Sequence, residues 1–140
     1  MIEGEHEGIV RGFLTASRAR DLDACAALLA PDVDWHVPSG FPFGGHHTGV
    51  DAVRGYLTDL WVFFDDVDLG APELHVAGAS VMAIGTVTVV TLNGKRHELE
   101  YAQLFAIEDG LIATYRERGD AGRMVKVVSA EMAFDGDARR

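Results

Sequence analysis

One cysteine, Cys25, stands in a chain of 140 residues, which excludes an internal disulfide and any zinc site built from thiolates. It falls on an apolar helix face with no basic neighbour in sequence, so a buried, inert thiol is expected rather than a nucleophile. Basic side chains are also scarce. Twelve lysines and arginines stand against twenty-two carboxylates, a formal charge of -10, and a surface of that sign repels phosphate backbones and anionic bilayers. Neither nucleic acid nor a membrane is therefore an expected partner. No apolar run approaches the ~20 residues of a bilayer-spanning helix. The first eight residues carry Glu3, Glu5 and Glu7 in place of a basic start and an apolar core, so no secretory leader is expected and the protein reads as cytoplasmic. His6, His75 and His97 have no ligand spacing, and neither a metal nor a cofactor is expected. Repeats and linkers are lacking too.

What is present is an ordinary globular composition, 48% apolar, long enough to bury a core without staples. One domain over residues 1–140 is expected, with its core at about 5–120 and a polar, loose tail after Phe134. From Glu3 to Ala19, the spacing of Ile9, Val10, Phe13, Leu14 and Ser17 predicts an amphipathic helix. Asp21 stands where an N-cap should, before a second face of Leu22, Cys25, Ala26, Leu28 and Leu29 that ends ahead of Pro31. Val33, Trp35 and Val37 alternate as a short strand that ends at Pro38 and turns Trp35 toward the core. A loop follows, Phe41-Pro42-Phe43-Gly44-Gly45-His46-His47-Thr48-Gly49, with more apolar and imidazole side chains than a simple connection carries. It is read either as a pocket wall or lid, or as a segment packed on a subunit interface. Val50, Val53, Leu57, Leu60, Trp61 and Phe64 then predict a third helix, capped by Thr48 or Asp51.

Beyond Asp65 the period becomes two. Leu69–Val76, broken at Ala71-Pro72, and Val81–Leu92 read as strands, and Asn93-Gly94 predicts a tight hairpin. His97–Ile107 pairs back, Glu108-Asp109-Gly110 turns, and Leu111 to Gly119 returns. Helices first and an antiparallel sheet after is the α+β order. On the His97 strand the apolar row Leu99, Tyr101, Phe105 and Ile107 contains Gln103, whose amide requires a partner, since leaving it unpaired costs about 1–3 kcal/mol. On the last strand the row Leu111, Ala113 and Tyr115 runs on to Glu117. Either that carboxylate reaches water at the strand's end, or it rims a cavity, where partial burial raises its pKa and suits it to proton transfer. At most one of His46 and His47 is expected to face inward, and His36, opposite Trp35, is expected outside.

The order Ala30-Pro31-Asp32-Val33-Asp34-Trp35, a Pro/Gly loop, His47-Thr48-Gly49-Val50-Asp51-Ala52-Val53-Arg54 and Glu108-Asp109-Gly110-Leu111-Ile112 before Tyr115-Arg116-Glu117 resembles the SnoaL-like polyketide cyclases. These belong to the superfamily of nuclear transport factor 2, ketosteroid isomerases and limonene epoxide hydrolases. The resemblance implies a cone-shaped α+β fold: three helices on a strongly curved, mixed but mostly antiparallel sheet around a deep apolar pocket, usually a homodimer through the sheet. The carboxylate, tyrosine and protonated acid that serve ketosteroid isomerases fall here at Trp35, Phe13 and Gln103, so that chemistry is absent. The Arg and Asp of the epoxide hydrolases are missing from Ala83–Thr88, and only Glu117 after Arg116 matches. The cyclases place an acid/base carboxylate on the last strand, at Glu117 or Asp120; alternation turns these two apart, and Glu117 is favoured. The resemblance thus implies a cofactor-free enzyme that cyclises, isomerises or hydrolyses a small hydrophobic metabolite. Glu117 is its acid/base, His47 an assistant at the mouth, and Trp35, Gln103, Phe13 and Tyr115 bind substrate. A ligand-binding or dimeric accessory protein without catalysis is the alternative.

Overall fold

The computed structural model describes residues 2–120 and 122–127; the tail after Phe134 lies outside them. Helix α1 spans Ile2–Arg18 and buries Val10, Phe13 and Ala16, the face read from helical spacing. Asp21 caps α2, Leu22–Ala27, its carboxylate accepting from the Ala24 N–H at 3.1 Å. That helix is shorter than its apolar face predicts. Leu29 already opens strand β1, Leu29–Val37, where it pairs with Ile112, and inter-strand bonding outcompetes another helical turn. The pairing is irregular between Leu29 and Asp34, where Pro31 has no N–H to donate.

The loop contains a strand that alternation did not reveal. β2, Gly45–Thr48, runs antiparallel to β1 and sets His47 opposite Trp35 and His46 opposite His36. Neither Thr48 nor Asp51 caps α3, Val50–Phe63. The N-cap is Gly49, at φ 90, a left-handed conformation that a side chain would strain. A short strand not expected, β3, Asp66–Asp68, comes next, and of the expected strand over 69–76 only the part after Ala71-Pro72 forms, as β4, Glu73–Ala77; both pair with β5, Ser80–Val90. The connection to β6, Arg96–Glu108, is not a two-residue turn: Val90 pairs with Arg96, and of Asn93 and Gly94 only the glycine has positive φ. Thr91 donates its hydroxyl to Asn93 and its N–H to Lys95 O, building a wider loop. The Asp109-Gly110 turn, with φ 52 and 77, does close tightly into β7, Leu111–Gly119.

The sheet order is β2-β1-β7-β6-β5-β3, with β4 also on β5. Only β1 and β7 are parallel; every other pairing is antiparallel. The strongly curled sheet holds the helices in its concavity, with α1 against β4, β5 and β7 and α3 against β1 and β2. One irregularity sets the site. Between β6 and β7 the register moves from Ala106/Thr114 to Ile107/Ile112, an extra residue on β7 that reverses side-chain parity. Ile112, fully buried, replaces the expected Leu111 and Ala113 on the inner face, while Tyr115 and Glu117 keep theirs.

Candidate functional site

Burial splits into two apolar clusters. One is built around Phe13, Trp35, Phe105 and Tyr115, the other around Phe64, Val87, Leu99 and Tyr101, and Phe41 and Leu60 touch both. Between them lies a cavity of about 90 Å³. It is smaller than the ~150 Å³ cavity that takes up benzene in an engineered core, so a ligand larger than a few heavy atoms has to displace a wall.

Five of the six residues proposed from sequence line this cavity: Phe13, Trp35, Gln103, Tyr115 and Glu117. Strand pairing puts Gln103 directly opposite Glu117, and Phe105 opposite Tyr115. Gln103 Nε2 donates to the Tyr115 hydroxyl at 3.0 Å, and that hydroxyl donates to Glu117 Oε1 at 2.5 Å. A hydroxyl-to-carboxylate distance of this length marks a charge-assisted bond. The Tyr115 ring lies flat on Trp35, centroids 3.8 Å apart and planes 13° apart, and meets Phe105 edge-on. Tyr115 is thus locked at ring and hydroxyl.

The demand posed by Gln103 is met by protein at its nitrogen alone: the amide N–H is taken by Tyr115, while among the described residues Oε1, like Trp35 Nε1, is fully enclosed without a partner. Gln103 therefore holds Tyr115 rather than presenting a free amide to a carbonyl oxygen. Trp35 likewise has one face occupied by Tyr115. Glu117 differs. Among the described residues its Oε2 makes no hydrogen bond, and it is not one of the fully enclosed unpartnered atoms, which leaves it available to a ligand. Burial raises the Glu117 pKa above its ordinary value of 4.5, and the Tyr115 bond opposes the rise. Burial, followed by the charge of Glu117, raises Tyr115, and the same two causes raise Tyr56. Both phenols stay protonated at neutral pH.

His47 does not join this group. It points to the same side as Trp35, its cross-strand partner, but the Tyr56 ring stands beside it at 4.9 Å, and its Nε2 is bonded to Phe43 O at 2.8 Å. It fastens the loop. The loop itself is a pocket wall: Phe41 and Pro42 line the cavity, while Phe43 packs edge-on against Phe63. Asp120, the other candidate carboxylate, accepts from the Arg123 N–H at 2.9 Å and so caps the helical segment 122–127, whose Met124 also lines the cavity. His36 lies on the opposite face against His46, rings 4.4 Å apart, and is pushed below its ordinary pKa by desolvation, then by His46, Arg116 and Arg118. Among the described residues no group of three or more His, Cys, Asp or Glu side chains forms a metal site.

Tyr56 is a wall residue absent from the sequence reading, which gave Phe41 only as part of a loop that walls the pocket. Tyr56 lies on the α3 face of Val53 and Leu60, at +3 and -4, and that spacing carried the signal. Nothing in the sequence distinguished Phe41 from Phe43.

A family model for the SnoaL-like domain matches residues 10–115. Among solved structures, an NTF2-like protein of unknown function from Burkholderia pseudomallei is 27% identical, with TM-score 0.82 over 87% of this chain and 95% of that one. TerC, co-crystallised with polyporic acid, is 20% identical with TM-score 0.83, over 89% of this chain and 98% of its own. A protein provisionally assigned as a polyketide cyclase from Xanthomonas campestris is 20% identical, with TM-score 0.81 over 90% and 98%. At such identities the last two show the fold alone. No curated protein matches the chain.

Proposed function

The chain belongs to the SnoaL-like domain family, and from that premise we propose a cofactor-free acid/base enzyme that cyclises or isomerises a small hydrophobic metabolite in the cavity, with Glu117 as its proton-transfer group. The single observation that carries this reading is the open Oε2 of a buried carboxylate whose other oxygen is fixed by Tyr115. In the ionised form Oε2 takes a proton from an acidified carbon; the same carboxyl then returns it to another atom of the ring-closed or rearranged product. A pKa raised toward neutrality favours both halves of the exchange. Phe13 and Trp35 supply apolar walls, and Gln103 and Tyr115 hold the carboxylate in position. Hydrolysis would need a second group to orient water, and among the described residues no histidine lines the cavity. The absence of a second proton-transfer group hydrogen-bonded to Glu117 among the described residues, Tyr115 being held protonated, also favours a second reading, a ligand-binding protein of the same fold without turnover.

The deciding experiment is turnover of a panel of neutral ketones and epoxides by wild type and Glu117→Gln. General acid–base catalysis contributes about 10²–10⁴-fold, so the variant should lose at least about 100-fold. Equal rates would remove Glu117 from the mechanism, and no turnover by wild type would favour the binding protein.

A homodimer through the outer sheet face belongs to the same proposal. Strand pairing aligns Glu73, Ile84, Ala102 and Arg118 in one row across β4, β5, β6 and β7. Exposed Met82, Ile84 and Leu104 form its apolar centre. A two-fold axis through that centre sets Arg118 of each protomer against its partner's acidic end, which supports self-association by charge complementarity. No helix among the described residues is long and apolar enough to cross a membrane; the single buried thiol suits a reducing cytoplasm.

A further inference from the structure

We propose that the cavity selects a ligand bearing a protonated amine, seated against Glu117 Oε2 and the surrounding aromatic rings. This rests on the reading of the cavity as a ligand site and adds the chemical class of its occupant.

A buried carboxylate is either neutral or paired with a cation. The 2.5 Å bond donated by Tyr115 to Oε1 favours the ionised form of the carboxylate against the burial that opposes it. Yet among the described residues no cation pairs with it. Arg116 and Arg118 flank Glu117 on β7 and project to the opposite side, both exposed as the alternation requires; Arg118 reaches back to the Glu117 carbonyl oxygen. Arg18 lines the cavity but donates to Gly70 O. Among the described residues no ion pair includes Glu117, and its only stabilising neighbour is Tyr115. The charge is left for a ligand to match.

The walls suit such a ligand. Trp35, Tyr56, Tyr115 and Phe41 line the same cavity as the carboxylate. Trp35 lies 6.3 Å from Tyr56, with the planes inclined at 50°, and Tyr56 is close enough to Glu117 to feel its charge. Aromatic faces attract an ammonium most strongly where water is excluded. The small volume, about 90 Å³, limits the first occupant to a short alkyl chain. A neutral ketone of the same size gains none of the ionic attraction, so the site distinguishes amine from isostere by charge.

Both tryptophans of the chain, Trp35 and Trp61, line the cavity, so their fluorescence reports occupancy. The test titrates butylamine and its neutral isostere butan-1-ol into the full-length protein at neutral pH, and repeats both with Glu117→Gln. A charge-assisted contact predicts butylammonium binding about tenfold or more tighter than the alcohol, a preference abolished in the variant. Carbon-13 titration of glutamate in wild type should also show the amine drawing the Glu117 pKa down. That readout stays valid if the variant fails to fold. Equal affinity for amine and alcohol, or a preference that survives Glu117→Gln, overturns the amine proposal while leaving the acid/base reading standing. Binding of neither probe overturns the proposal together with the ligand-cavity reading beneath it.

Discussion

Tyr115 donates its hydroxyl to Glu117 Oε1 across 2.5 Å, two residues along one strand, while its ring lies flat on Trp35 at 3.8 Å. The bond favours the charged carboxylate and is the one contact opposing the rise that burial imposes. Tyr115→Phe should therefore raise the Glu117 pKa further and move the ascending, acid-side limb of any pH–rate profile to higher pH. Leaving Gln103 Nε2 without its acceptor should cost about 1–3 kcal/mol of stability. Denaturant unfolding and a carbon-13 titration check both; an unmoved Glu117 would show that the bond does not set its charge state.

Glu117 also makes stability depend on pH. Its folded pKa lies above the ordinary 4.5, so its contribution is fully present below about pH 4.5, where folded and unfolded chains are both protonated. It is lost as pH rises through the folded value, because ionisation is harder inside the protein than in the unfolded chain. Glu117→Gln removes that loss. The variant's Tm relative to wild type should climb between pH 4.5 and neutrality and stay level below; a difference independent of pH would contradict the buried charge.

Cys25 is fully buried, and burial, with Asp21 adding its negative charge, pushes its thiol up to about 11. A thiol-specific disulfide reagent at pH 8 should leave the native protein unmodified and label one equivalent after unfolding. Rapid native labelling would mean that the α2 region opens on the timescale of the reaction.

The outer-face row supplies a paired test of self-association. Arg118→Glu or Glu73→Arg alone should shift sedimentation toward monomer, each placing like charges across the axis, while the double exchange should restore the dimer. Wild type sedimenting as a monomer at all concentrations would remove the proposal. Because both residues are exposed, the folded monomer should change by less than about 0.5 kcal/mol.

Period and composition determined much by themselves: two helices, a strand and a third helix before the long antiparallel strands, the Asp21 cap, the Asp109-Gly110 turn, and the inward rows containing Trp35, Gln103 and Tyr115. Each is a local matter of spacing or backbone preference, legible in a window of ten residues. Tertiary structure decided what local signals do not encode. Pairing with Ile112 drew Leu29 out of the helix, pairing with β1 made a strand of His46 and His47, and one extra residue on β7 exchanged Ile112 for its neighbours. The same long-range register brought Gln103 opposite Glu117 and turned both flanking arginines away. Whether a carboxylate meets water, a cation or a tyrosine depends on which strand lies beside it, and that is fixed only when burial of the whole sheet selects a single register.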